Sequence, residues 1–343
     1  MSTILSADWH IGDYRNGPTV AGVNGRLLDI KERINEMLEF AEKGRVARII
    51  LAGDMFRDKH PSMLHLEIFS QTIKRIIDLK IPTLILPGNH DVNRVRGTAH
   101  ALTPFMPLIK NSCVEIIDQP AVRDDISLFP YMSAPQEPPL KEFLKKVPTS
   151  CRFLALHGTV KGAVMNKLVD YEIYDEDTMS PDLMDRFQMV FAGHIHDAQQ
   201  FRNVIYPGSI ERLDFGDEFS NKSFVYLLDD KNVEIIPLKA RQMTTITYQN
   251  LRDHYKEIPF KDAIVRVTNA DKLYIPDVRR WLAERGCYYI AGISTMDTSR
   301  QETETREMLD TPKFIKQFAE KVKYDGDMES VTRTIMEMLD AQA

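Results

Sequence analysis

Five short runs carry the side chains in this chain that could do chemistry: Asp8-Trp9-His10, Gly53-Asp54, Gly88-Asn89-His90-Asp91, His157-Gly158 and Gly193-His194-Ile195-His196. Carboxylate, amide oxygen and imidazole suit divalent cations such as Mn²⁺, Fe or Zn²⁺, and the lack of thiolate argues against a structural zinc site. Alternate residues of an extended loop can chelate one centre together, which accounts for Asp8 with His10 and His194 with His196. One carboxylate can bridge two cations, and Asp54 is the natural bridge. Two such ions roughly 3.5–4 Å apart activate a water and stabilise both the attacking and the leaving oxygen on phosphorus. His90 lies beside a ligand, where it can protonate a leaving alkoxide or stabilise the transition state. Taken singly, each run also reads as a polar turn or a strand-end histidine. All five in order, each at the end of a strand, do not. The remaining histidines, His60, His65, His100 and His254, read as surface residues.

Strands must deliver these runs to one place. Thr3–Ser6, Ala47–Ala52, Thr83–Leu86, Arg152–Leu156 and Met189–Ala192 are short β-branched or aliphatic stretches that end where the five runs begin. The carboxyl ends of strands in open α/β sheets converge on one crevice, which is where ligands bind. Further strands are expected over Val114–Ile117, Ile126–Tyr131, Val204–Tyr206, Ser223–Leu228 and Val233–Pro237. Apolar residues recur at helical spacing over Arg26–Lys43 and Leu64–Leu79. Residues 1–239 therefore read as a layered α/β (α+β) domain. A β-α-β unit is expected within 240–300, from Ala263–Asn269, Ile275–Gly286 and Tyr288–Met296. Residues 301–343 hold two amphipathic helical patterns, Pro312–Val322 and Met328–Leu339.

Composition narrows the class. The 343 residues are 43% hydrophobic and 27% charged, enough for one large core and a small appendage. No window approaches 18 uninterrupted apolar residues, so a membrane span is not expected, and the first residues lack a secretory pattern. Three cysteines without paired spacing point to a reducing cytoplasm. A net charge of −6 speaks mildly against nucleic acid, although bound cations can invert the field at a site.

The motif series resembles the calcineurin-like metallophosphoesterase signature. Gly53-Asp54-Met55-Phe56 followed by His60-Pro61-Ser62, and Tyr206-Pro207-Gly208-Ser209-Ile210-Glu211-Arg212 running on to Leu213-Asp214-Phe215-Gly216, resemble its double-strand-break repair branch. That branch contains the SbcD-type exonucleases and their meiotic-recombination relatives. The resemblance implies a β-sandwich flanked by helices, a small capping domain over 240–300 and a C-terminal helix pair. It also implies two Mn²⁺, with Mg²⁺ or another divalent metal a poorer substitute. One ion would be held by Asp8, His10, Asp54 and His196, the other by Asp54, Asn89, His157 and His194, with His90 catalytic and not a ligand. Some members carry a histidine where this chain has Arg57, which cannot accept a proton but can contact phosphate.

The implied activity is a DNA exo/endonuclease working on duplex ends in a double-strand-break processing complex. Its partner would be an SMC-like coiled-coil ATPase docked by the C-terminal helices, and it would dimerise through the two N-terminal helices. The setting would be cytoplasmic: nucleoid-associated, or host cytoplasm for a viral chain. Arg57, Lys59, Arg94 and Arg96 are candidate backbone contacts to DNA. The competing readings are a small-substrate phosphodiesterase or phosphoprotein phosphatase, and a DNA-end tether with vestigial catalysis.

Overall fold

The computed structural model describes residues 2–92, 99–132, 135–165, 171–172, 178–229 and 232–295. Two six-stranded sheets face each other. Edge to edge, the first runs Val233–Pro237, Ser223–Leu227, Thr3–Ser6, Arg48–Ala52, Thr83–Leu86, Val114–Ile116. The second runs Gln199–Phe201, Val204–Tyr206, Met189–Gly193, Phe153–His157, Ile126–Phe129, Ala121–Arg123. The central strands are parallel. Ser6 lies opposite Leu51 and Ala52 opposite Leu86 in the first sheet, as Gly193 lies opposite His157 in the second. Their carboxyl ends therefore finish at one edge of the sandwich. Leu5, Ile50, Leu86, Leu128, Phe153, Phe191 and Val225 fill the space between the sheets. Strands buried on both faces read as continuous apolar runs, which is how they look in the sequence.

Helices α1 (Gly25–Gly44) and α2 (Met63–Leu79) cover the outer face of the first sheet. Leu27, Ile30, Ile34, Met37 and Leu38 from α1, with Ile68, Phe69, Ile73 and Ile76 from α2, are buried there. Their stripes are thus used by the sheet, and Met63 and Leu64 remain exposed at the start of α2. The Asn24 side chain caps α1 by accepting from Arg26 and Leu27 N–H at 3.0 and 3.3 Å. Ser62 and His65 form a reciprocal capping box on α2. His65 is buried and structural, where the sequence reading put it on the surface; a histidine in the third helical position has no familiar capping signature.

Beyond Lys239 a three-stranded sheet, Met243–Thr247, Ile264–Ala270 and Tyr289–Thr295, carries helices Tyr248–His254 and Ile275–Glu284. It has its own apolar cluster of Leu251, Phe260, Val265, Val267, Val278 and Leu282. The Met243–Thr247 strand and the Tyr248–His254 helix were not expected from sequence. The C-terminal helices expected over Pro312–Val322 and Met328–Leu339 lie outside the described residues.

Candidate metal centre

The site forms where the carboxyl ends of the two sheets meet, and small residues let them pack tightly there. A Cβ on Gly193 would sit 1.9 Å from the Ala52 carbonyl oxygen and 2.9 Å from the Ala7 Cβ, both in the opposite sheet or its exit. Gly193→Ala must therefore spread the sheets or move His194. We expect it to cost about 1–3 kcal/mol, read as a lower denaturant midpoint. Gly53 combines φ +94° with the same crowding, since a Cβ there would meet His157 Nδ1 at 2.1 Å. The loops leaving the first two parallel strands are also tied together: Asp8 N–H donates to Gly53 O and His10 N–H to Asp54 O, each at 3.0 Å.

Four candidate ligands occupy backbone conformations that side chains seldom adopt. Asp8, His10 and Asp54 have φ of 53°, 47° and 55°, and His194 has 108°. Such residues cost on the order of 1–3 kcal/mol each and persist where the surroundings impose them, typically at functional sites.

The side chains meet in overlapping groups: Asp8, His10 and His196; His10, Asp54 and His90; Asp54, His157 and His194. In each, the potential ligand atoms lie within 4.8 Å of one another. Asp54 Oδ2 is 3.6 Å from His10 Nε2 on one side and 3.5 Å from His157 Nε2 on the other. His10 Nε2 is 3.1 Å from His196 Nε2. Asn89 Oδ1 is 2.9 Å from both His157 Nε2 and His194 Nδ1. Every residue expected from the sequence as a metal ligand is in this cluster.

The donor set fits a pair of divalent cations. His157 Nδ1 donates to the Ala52 carbonyl at 2.8 Å, so in the neutral ring Nε2 is a bare nitrogen facing two acceptors, Asp54 Oδ2 and Asn89 Oδ1. A cation at that point satisfies all three acceptors. Burial pushes Asp8 up to about 8, with His157 opposing and the Asp54 charge adding to the shift. Burial also acts to raise Asp54, but His157, His10 and His90 overturn it and hold that carboxyl well below the usual range. His157 is pushed down by burial, yet the Asp54 charge carries it to about 9. Burial, reinforced by His157, brings His194 down to about 4.

His90 is exposed on the cleft. Its backbone N–H donates to Asp54 Oδ1 at 2.8 Å, and its Nδ1 donates to the Arg57 carbonyl at 2.7 Å. Nε2 is thereby left facing the cleft. Arg57 serves the site through this carbonyl, while its guanidinium lies over the Tyr14 ring at 4.3 Å and bonds the Asp13 carbonyl. Lys59 is exposed, and Arg94 and Arg96 lie outside the described residues. His60 is exposed and takes no part in the cluster.

Two supports were not foreseen. Asp91, fully buried, accepts from Gly88, Met55 and Phe56 N–H at 2.9, 3.1 and 2.9 Å, locking the Asn89 turn to the Asp54 loop. Its place in the Gly-Asn-His-Asp run was the available signal. The Tyr206–Arg212 stretch buries Ser209 and Glu211, with Glu211 accepting from Arg241 N–H at 3.0 Å and facing Arg26 at 3.3 Å. It braces the start of the small sheet and the His196 loop. The cleft encloses about 340 Å³, and beyond the cluster its wall carries Asp197, Asp214 and Asp217.

A family model for calcineurin-like phosphoesterases matches residues 1–198, which include all five motif runs. The chain belongs to that family, and it is a metal-dependent phosphoesterase. Among curated relatives it is 24% identical over 280 residues to exonuclease subunit 1 of Enterobacteria phage T4, covering 79% of this chain and 78% of that one. It is 25% identical over 285 residues to a subunit of the SbcCD nuclease from Staphylococcus epidermidis, covering 73% and 74%. A dimetal phosphatase structure from Danio rerio is 10% identical over 69% of this chain and 99% of its own, with a TM-score of 0.38.

Proposed function

We propose that this chain is the nuclease subunit of a DNA-processing complex, a Mn²⁺-dependent exo/endonuclease acting on duplex ends. The observation that carries this reading is the pair of donor groups sharing Asp54 in a cleft whose remaining wall is acidic. Such a wall repels a phosphodiester unless cations invert the local field. Asp8, His10, Asp54 and His196 would hold one ion, and Asp54, Asn89, His157 and His194 the other. Bound there, the ions supply charge neutralisation on phosphorus and an acidified water. The protein supplies the rest. Asp91 and the Ala52 carbonyl fix the loops and the His157 ring, and His90 holds a proton at Nε2 for the leaving oxygen.

The finer assignments rest on the relatives, one named as an exonuclease subunit and one as a nuclease subunit. Residues 240–300 would serve as a cap controlling DNA access, with duplex DNA as substrate in a cytoplasmic setting. Residues 301–343 bind a coiled-coil SMC-like ATPase. A homodimer would use Met63 and Leu64 on α2. The second reading, a small-substrate phosphodiesterase, is favoured by the cleft's modest volume.

End-labelled duplex DNA and a small phosphodiester should be offered in parallel to the chelator-stripped chain, with Mn²⁺, Mg²⁺ or no metal, with and without the ATPase. Mn²⁺-dependent release of nucleotides is the expected result. Turnover of the small diester with DNA intact in both conditions would move the chain to the second reading.

A further inference from the structure

His196 enters the site on a loop, three residues past the end of its strand, so something other than sheet pairing must hold it. Its carbonyl oxygen accepts twice, from Ser209 N–H and from the Lys222 ammonium, both at 3.1 Å. Lys222 Nζ also donates to Ser209 Oγ at 2.8 Å and meets Asp217 Oδ1 at 3.1 Å. The ammonium's three protons thus face three acceptors, and its side chain is 0% exposed. Ser209 Oγ in turn donates to the Glu211 carbonyl at 3.0 Å. The approach depends on Gly208, at φ +75°, where a Cβ would sit 2.7 Å from the His196 oxygen. One residue on, Asp197 bonds Ser220. The loop is therefore held along its backbone, and the His196 ring projects from it to within 3.1 Å of His10 Nε2.

We propose that Lys222 is a positioning residue for His196, clamping its carbonyl so that the imidazole is preset for the ion shared with Asp8, His10 and Asp54. This rests on the assignment of His196 as a ligand. A buried lysine is costly unless fully paired, and here the pairing is directed at the backbone of one ligand residue. Groups that orient ligands in this way typically contribute about 10–100-fold to metal affinity.

The test is calorimetric titration of the metal-stripped full chain with Mn²⁺ alone. Lys222→Met should weaken one of two Mn²⁺ sites by about 10–100-fold and leave the other at its wild-type affinity. Circular dichroism confirms that the variant is folded. Ser209→Ala, which removes one acceptor from the ammonium and keeps the Ser209 N–H, should weaken the same site by a smaller factor. It also carries the test should Lys222→Met fail to fold. Wild-type affinity at both sites in the folded variants, or equal weakening of both, would overturn the proposal; equal weakening would make Lys222 a structural ion-pair partner of Asp217. No DNA is present, so failure of the nuclease reading leaves this result untouched.

Discussion

Alanine at His90 should lower phosphodiester turnover by about 10²–10⁴-fold while the chain keeps its full metal content. The bond from the His90 backbone N–H to Asp54 Oδ1 survives the substitution, so the carboxylate keeps its orientation and only the ring is lost. With Nδ1 committed to the Arg57 carbonyl, the ring presents Nε2 to the cleft. The loss should fall on kcat, with KM little changed, because a proton delivered to the leaving oxygen acts only in the transition state. Metal analysis beside the kinetics checks the assignment. His90 stands close enough to His10 and Asp54 to be a ligand itself. A drop in metal content that parallels the drop in turnover would give it that role.

Asp54→Asn should be more severe. Asp54 Oδ2 lies between His10 Nε2 and His157 Nε2, so one neutralisation strips charge from both prospective centres. We expect Mn²⁺ stoichiometry to fall from two per chain to one or none, and turnover to fall to background. The metal-free protein should lose stability as well. The rings around Asp54 hold its folded-state carboxyl below the ordinary range, although burial opposes them. A depressed carboxyl contributes stability that is present above the unfolded value and lost as pH falls through the folded one. At pH 7 the wild type has that contribution and the asparagine variant does not. The same change removes the charge that raises His157, whose ring should then titrate lower. Thermal melts of the stripped proteins at pH 7 measure the difference, and it should narrow in acid.

The cluster of candidate ligands was legible in the sequence because its chemistry is local. Each candidate ligand sits within four residues of a strand end, and strands buried on both faces announce themselves as apolar runs. Residues Thr3–Ser6, Thr83–Leu86 and Val204–Tyr206 match the expected strands end to end. What was hidden depends on distance along the chain. Lys222 supports His196 from 26 residues away, and neither motif nor periodicity marks it. Edge strands Ala121–Arg123 and Gln199–Phe201 are three residues each, too short and too polar to show a period. Helix Glu137–Leu144 opens on two prolines, which read as a loop but occupy positions where a helix needs no N–H. Arg57 illustrates a different limit: its residue type suggested a phosphate contact, whereas the structure uses its carbonyl for His90 and stacks its guanidinium on Tyr14.

Anomalous diffraction from Mn²⁺-soaked crystals would show whether Asp54 joins two metal sites. Two peaks should appear, one among Asp8, His10, Asp54 and His196 and one among Asp54, Asn89, His157 and His194. They should lie roughly 3.5–4 Å apart with Asp54 between them. A single peak, peaks elsewhere, or none at saturating Mn²⁺ would rule out a paired centre on these residues.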